Sequence, residues 1–207
     1  MHDRRIDGVP HTFGNAGALF MTAMTWWDHE TQSIWSQPWG RAIRGTYKGV
    51  ELFLLPSQVT SWESWRTEHP DTLAMINDMQ RLGSRRQTFS PDFVIGLLLA
   101  GEAKAYYFRD AAMQGVINDR LGPAPIVVWA QEDNFHAYIR QVGERTLTFS
   151  LDGEALVDDE TGSIWDIARG RAVEGPLSGE VLQPVPGSTA FDWAWEDFYP
   201  DTTFYTP

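Results

Sequence analysis

"DHETQSIW" (residues 28–35) and "DDETGSIW" (residues 158–165) are two copies of one acidic, tryptophan-ended octapeptide, and their spacing organises the chain. Aligned at an offset of 130 residues, the copies extend well beyond the octapeptide. Gly40, Arg41, Ala42, Gly45, Gly49, Leu52 and Pro56 are identical to their partners, Trp65 falls on Trp195, and "PDT" at 70–72 falls on "PDT" at 200–202. Residues 28–72 share 17 identities in 45 gap-free positions with residues 158–202, where chance gives about three. This is an internal duplication. Two copies imply a pair of related units, because a solenoid needs at least about three repeats.

Upstream the copies part. Phe13 and Phe149 correspond, yet Phe13 precedes Asp28 by 15 residues and Phe149 precedes Asp158 by nine. The first copy therefore carries an insertion within "GNAGALFMTAMTWW" (14–27). Residues 92–140 have no counterpart ahead of the first copy, so the front of the first half is expected to be missing from this chain. The expected organisation is a shortened first repeat over 1–75, a connector over 76–91 and a complete second repeat over 92–207.

The D-x-x-T-x-S-x-W and PDT elements of both copies, with "GEAKAYYF" (101–108) and "INDRLGPAPIVV" (117–128) between them, resemble DUF3179, a prokaryotic family of domains of unknown function. Longer members carry an upstream segment with a Cys-Pro-x-Cys motif. This chain has no cysteine, so no role of that motif carries over to it. The resemblance implies a boundary and a fold, and no mechanism.

Composition narrows the partners. At 207 residues the chain can bury a proper core without staples. Ten tryptophans, eleven phenylalanines and six tyrosines point to a core built from aromatic, strand-favouring residues. A net charge of −12 repels phosphate backbones and anionic lipid surfaces, so neither nucleic acid nor membrane is an expected partner. The same charge favours calcium, a hard cation that prefers carboxylates, although surplus acid also serves solubility alone. With no cysteine there is no disulfide, thiolate nucleophile or zinc ribbon. The start, "MHDRRIDGVPHTF", has no apolar signal core, which predicts a cytoplasmic or already processed chain. The expected partner is a small-molecule substrate, and a homo-oligomer stays open.

Residues 126–130, 136–142 and 146–151 read as strands of a meander, and "FVIGLLLAGEAKAYYF" (93–108) as a hairpin turning at Ala100 and Gly101. "RDAAMQGVIND" (109–119) reads as a helix stopped by "RLGP", and residues 61–68 and 189–198 read as helices ahead of each "PDT". The predicted fold class is α+β, mainly antiparallel β, in two pseudo-symmetric repeat halves with a shared aromatic core.

Each candidate site has a structural reading beside it. In the octapeptide, the leading aspartate can accept bonds from backbone amides just ahead of it, and Thr161-Gly162 supplies a tight bend. Such a turn recurs wherever a unit is duplicated. Its functional reading is a calcium site at Asp158, Asp159 and Glu160. In the first copy His29 replaces Asp159, placing an imidazole between Asp28 and Glu30; those three are the candidate catalytic groups. The adjacent insertion offers Phe20, Met24, Trp26 and Trp27 as one wall of an organic-ligand pocket, where plain core packing is the alternative. His136 reads as strand packing, and His69 as the filler of a corner that the second copy gives to Tyr199. Arg41 and Arg171 read as partners of the acidic turns. There is no G-x-S-x-G elbow, phosphate loop or H-E-x-x-H helix.

By elimination, the expected function is hydrolysis of a small ester or lactone by calcium-assisted water attack without a covalent nucleophile. The alternative is a non-catalytic carbohydrate- or peptide-binding module, or a structural one. The first needs Asp28, His29 and Glu30 to converge on a cavity. The structural one predicts buried tryptophans and turns remote from any pocket.

Overall fold

The computed structural model describes residues 1–57, 60–74, 93–131, 134–153 and 155–207. The connector expected over 76–91 lies outside these residues. In the first copy run β1 (Arg5–Ile6), β2 (Val9–Pro10), β3 (Phe13–Phe20), β4 (Ala23–Asp28), β5 (Ile34–Ser36), β6 (Arg41–Arg44) and α1 (Trp62–Glu68). Then follow β7 (Phe93–Leu99), β8 (Glu102–Tyr107), α2 (Phe108–Gln114), β9 (Val116–Leu121), β10 (Ala124–Gln131) and β11 (Asn134–Ile139). The second copy continues with β12 (Gln141–Val142), β13 (Arg145–Thr146), β14 (Phe149–Asp152), β15 (Ala155–Asp158), β16 (Ile164–Asp166) and β17 (Arg171–Glu174). It closes with β18 (Gln183–Pro184), β19 (Gly187–Phe191), α3 (Asp192–Phe198) and β20 (Thr203–Phe204).

The duplication is visible strand by strand. β3-β4-β5-β6 and β14-β15-β16-β17 are four-stranded antiparallel meanders of the same order. Trp35 pairs with Ala42 and Trp165 with Ala172, each beside a bulge that follows Ile34 or Ile164. The bulge re-aims the tryptophan inward, where both are buried. The insertion lengthens the first hairpin: pairing slips between Asn15 and Leu19 before it resumes at Leu19–Met24. The matching second hairpin pairs without a slip from Phe149–Asp158 to Asp152–Ala155.

Backbone bonding carries the repeat further upstream than identity does, now at an offset of 136. His2 bridges Leu54 as Tyr138 pairs with Pro184. The amide of His11 donates to the carbonyl of Arg4, as that of Leu147 donates to Arg140. Sheet geometry constrains the backbone and leaves the side chains free, so the register outlives the identities.

Between the copies lie two more sheets, β19-β7-β8-β20 and β18-β11-β10-β9. Their facing sides, with α2, enclose the largest cluster of buried residues, including Ile95, Leu97, Tyr106, Ile126, Val128 and Phe135. The far side of β10 and β11 packs on the second meander through Val127, Tyr138, Leu156 and Trp165. The far side of β7 and β8 meets α3, where Gly96 leaves room for the ring of Trp195. Trp35, Ala42, Leu52 and Ile6 form a separate cluster in the first meander. Aromatic residues are thus divided among several clusters. Among the described residues pairing is antiparallel except for β20 beside β8.

Two expected helices are shorter than the sequence pattern suggested. The segment read as one helix over 109–119 is α2 to Gln114 and strand β9 from Val116. Gly115 ends the helix at a φ of 74°, and the β-branched Val116 and Ile117 pair with Trp129 and Val128. Thr189–Phe191, read as helix, is the end of β19 against β7. No helix among the described residues is long and apolar enough to cross a membrane.

Candidate functional site

The octapeptide is built around its leading aspartate. Asp28 accepts bonds from the Thr31 amide at 2.6 Å, the Thr31 hydroxyl at 2.7 Å, the Ser33 amide at 3.1 Å and the indole of Trp35 at 2.9 Å. Asp158 repeats the set with Thr161 and Trp165, its indole bond again 2.9 Å. Both carboxylates are buried. Burial alone would raise the Asp28 carboxyl, but bonds from Trp35, Thr31 and Ser33 outweigh it and hold the group below the ordinary range. A second tier completes the turn: the hydroxyl of Ser33 accepts from the Tyr47 amide, and that of Ser163 from the Leu177 amide. Gly45 and Gly175 approach these serines so closely that a Cβ on either would lie 2.7 Å from a backbone atom. The shared residues therefore make a self-contained turn.

The outer residues of each octapeptide fasten it to the preceding strand. Glu30 accepts from the Thr12 amide at 3.0 Å, and Glu160 from the Thr148 amide at 2.7 Å. Asp159 accepts from the Ser150 hydroxyl. Asp158, Asp159 and Glu160 thus direct their oxygens at different protein donors. In the first copy His29 is exposed and lies flat on Trp27, ring centroids 4.3 Å apart. Asp28, His29 and Glu30 are therefore adjacent in sequence but point to the interior, to Trp27 and to Thr12 respectively. Arg41 reaches Glu51 at 3.6 Å and covers Trp39, so its expected pairing with the acidic turn is replaced by another partner.

One histidine that the sequence reading passed over comes close to the turn. His11, buried, stands where the second copy has Leu147, with Nδ1 3.4 Å from a Glu30 oxygen. His11, Asp28 and Glu30 each bring a ligand-type atom within 4.8 Å of the others. Asp28 enters that group with both oxygens already engaged by its turn.

The aromatic insertion divides by strand alternation. Trp26 and Trp27 are neighbours on β4 and so face opposite sides. Trp27 carries His29, while Trp26 packs on Phe13 and His2. Phe20 lies against Trp39, and Met24 is exposed. Trp26 also lines a cavity of about 530 Å³ between the first meander and α3, facing Leu54, Leu98, Trp195, Phe198 and Tyr199. Burial, with Glu51 adding to it, pushes the Tyr199 hydroxyl up to about 12, so it is a neutral donor. Trp195 and Tyr199 were legible only as repeat positions, because their helix and the insertion meet through the tertiary fold.

A family model described as "Protein of unknown function (DUF3179)" matches residues 1–92 and again residues 84–202. The two overlapping segments agree with the internal repeat. No curated protein and no solved structure matches the chain.

Proposed function

The chain belongs to the DUF3179 family of proteins of unknown function, and from that premise we propose that it is a binding module for a small organic molecule seated between β4 and α3. The observation that carries this reading is the cavity itself. Its volume of about 530 Å³ lies in the range of small-molecule sites. Rigid aromatic walls hold a ligand at low entropic cost, and polar groups at the rim, His2 and Tyr199 among them, would orient it. We read the two repeats as pseudo-symmetric halves, each presenting its last helix to the other, so that the cavity arises at their junction. Both octapeptide turns then serve the fold.

An uncharged fluorophore, N-phenyl-1-naphthylamine, tests this. It should bind and gain fluorescence, and Ala194→Trp, which fills the cavity from α3, should remove one site from the binding stoichiometry with little change in melting temperature. Undiminished binding to a folded Ala194→Trp protein would sink the proposal.

Metal-assisted hydrolysis of a small ester or lactone is the second reading, supported by the grouping of His11, Asp28 and Glu30. An imidazole in the set suits a transition metal better than calcium. Turnover of a phenyl ester or a lactone that a chelator stops and a divalent cation restores would favour it. Turnover indifferent to chelator would remove it.

A further inference from the structure

The cavity lined by Trp26 has a counterpart. Under the repeat Trp65 takes the place of Trp195, Tyr138 that of His2 and Ala168 that of Pro38, and these residues line a second cleft of about 620 Å³ between α1 and β11. The frame is shared and the chemistry is not. Where the first cavity has Tyr199 and Phe198, with Trp39 packed behind on Phe198, the second cleft has His69, Glu68 and Arg169 in or beside it. The copies have thus diverged at the positions that face a ligand, while the tryptophan and its bond to a threonine hydroxyl persist in both.

Most polar groups of this cleft already have partners. Arg169 donates to Asp166 at 2.7 Å and to the carbonyl of Glu68. The hydroxyl of Tyr138 donates to the carbonyls of Ile167 and Ala168. His136 is different. It lines the cleft at 4% exposure, between Trp129 at 5.5 Å and Tyr138 at 6.2 Å, and has no hydrogen-bond partner among the described residues. An imidazole that lines a cleft without a partner among the described residues offers a ligand one donor and one acceptor there.

The surroundings define that partner. Phe135, Leu182 and Val185 make the cleft largely apolar. Among the described residues its guanidinium, Arg169, is engaged by Asp166, and burial shifts the Met1 amine that also lines the cleft toward its uncharged form, so the lining favours an uncharged ligand over a carboxylate. Burial keeps the imidazole far below its usual titration range, despite Asp166, so at neutral pH it offers one N–H and one lone pair. We propose that the cleft between α1 and β11 binds an uncharged planar aromatic molecule carrying a hydroxyl or carbonyl, with His136 as the hydrogen-bond partner that selects it.

The test uses the full chain carrying Ala194→Trp, so that the first cavity is closed, and three probes that differ only in head group: 2-naphthol, naphthalene and 2-naphthoate. Binding is read by quenching of tryptophan fluorescence and by the 15N shifts of the histidine rings. 2-Naphthol should bind about five- to tenfold more tightly than naphthalene, as one neutral hydrogen bond allows, and should move the His136 nitrogens. His136→Phe should erase that difference while naphthalene binding persists. Equal binding of 2-naphthol and naphthalene, tighter binding of 2-naphthoate, or unmoved His136 nitrogens at saturation would each overturn the proposal. The ring shifts need no substitution at His136, so the test holds even where His136→Phe fails to fold.

Discussion

Asp28 and Asp158 show how one residue can look catalytic and be structural. Each is buried and meets amide, hydroxyl and indole donors from the seven residues that follow it. Removing the acceptor strands several buried donors at about 1–3 kcal/mol apiece. Asp28→Ala and Asp158→Ala should therefore each cost about 3 kcal/mol, or roughly 6–12 °C in melting temperature at this chain length. Calorimetry on both variants checks this, and a loss confined to one copy would show that the turns are not equivalent in role. His29→Ala is expected to behave differently. The ring is exposed and, among the described residues, stacks on Trp27 alone, so stability should change by less than about 0.5 kcal/mol. Loss of ligand binding in that variant at unchanged melting temperature would restore His29 as a functional group.

At the scale of the element, the turn depends on a glycine that the octapeptide does not contain. Gly45 and Gly175 have φ of 97° and 91°, and their missing side chains let the loop after β6 or β17 lie against the serine of the turn. Gly45→Ala and Gly175→Ala combine strain at positive φ with a backbone clash, and each should destabilise by about 2–3 kcal/mol. Urea midpoints of the two variants should shift by similar amounts; a shift within error of zero would mean that the loop can move away at no cost. The first hairpin adds a further lesson. Its inserted residues lengthen β3 and β4, and because strand side chains alternate, they send Trp26 to a cavity and Trp27 to His29. A single wall holding both Trp26 and Trp27 was never available, because the two are adjacent on β4. Only alternate residues reach one face.

At the scale of the whole molecule, the two halves proposed above meet through reciprocal contacts at repeat-related positions. The Trp39 indole donates to the carbonyl of Phe198 at 2.7 Å, and Arg169 donates to the carbonyl of Glu68. Trp39→Ala should cost about 2 kcal/mol and separate thermal unfolding into two transitions; a single, unshifted transition would show that the halves do not rely on this contact. Acid should weaken the molecule in two stages. Burial lowers the His136 pKa from 6.5 to about 4, so the unfolded chain takes up that proton first. Stability then falls as pH drops from about 6.5 to about 4, by on the order of 3 kcal/mol, and the penalty levels off below. Asp28 acts lower: its depressed carboxyl contributes above about pH 4 and loses that contribution as pH falls further. Urea unfolding of the wild type and His136→Gln at pH 7, 5.5 and 4 separates the two, since the substitution should flatten only the upper stage.

By itself, the sequence determined the duplication, the acidic turn in each copy, the antiparallel character and the hairpin at Ala100–Gly101. These are local matters: a turn's donors lie within a few residues of its acceptor, and a hairpin needs only its own two strands. It misplaced the end of α2, because the choice between helix and strand at Val116 was made by Trp129 and Val128 across the sheet. It pointed to the octapeptide as the site of chemistry, and Trp26 alone of its candidate residues lines the described cavities. The tertiary structure decided the rest. Cavities form where separate segments meet, Trp26 with Trp195 and Trp65 with His136, and pairing across a junction leaves no period or spacing in the chain that a linear reading could detect.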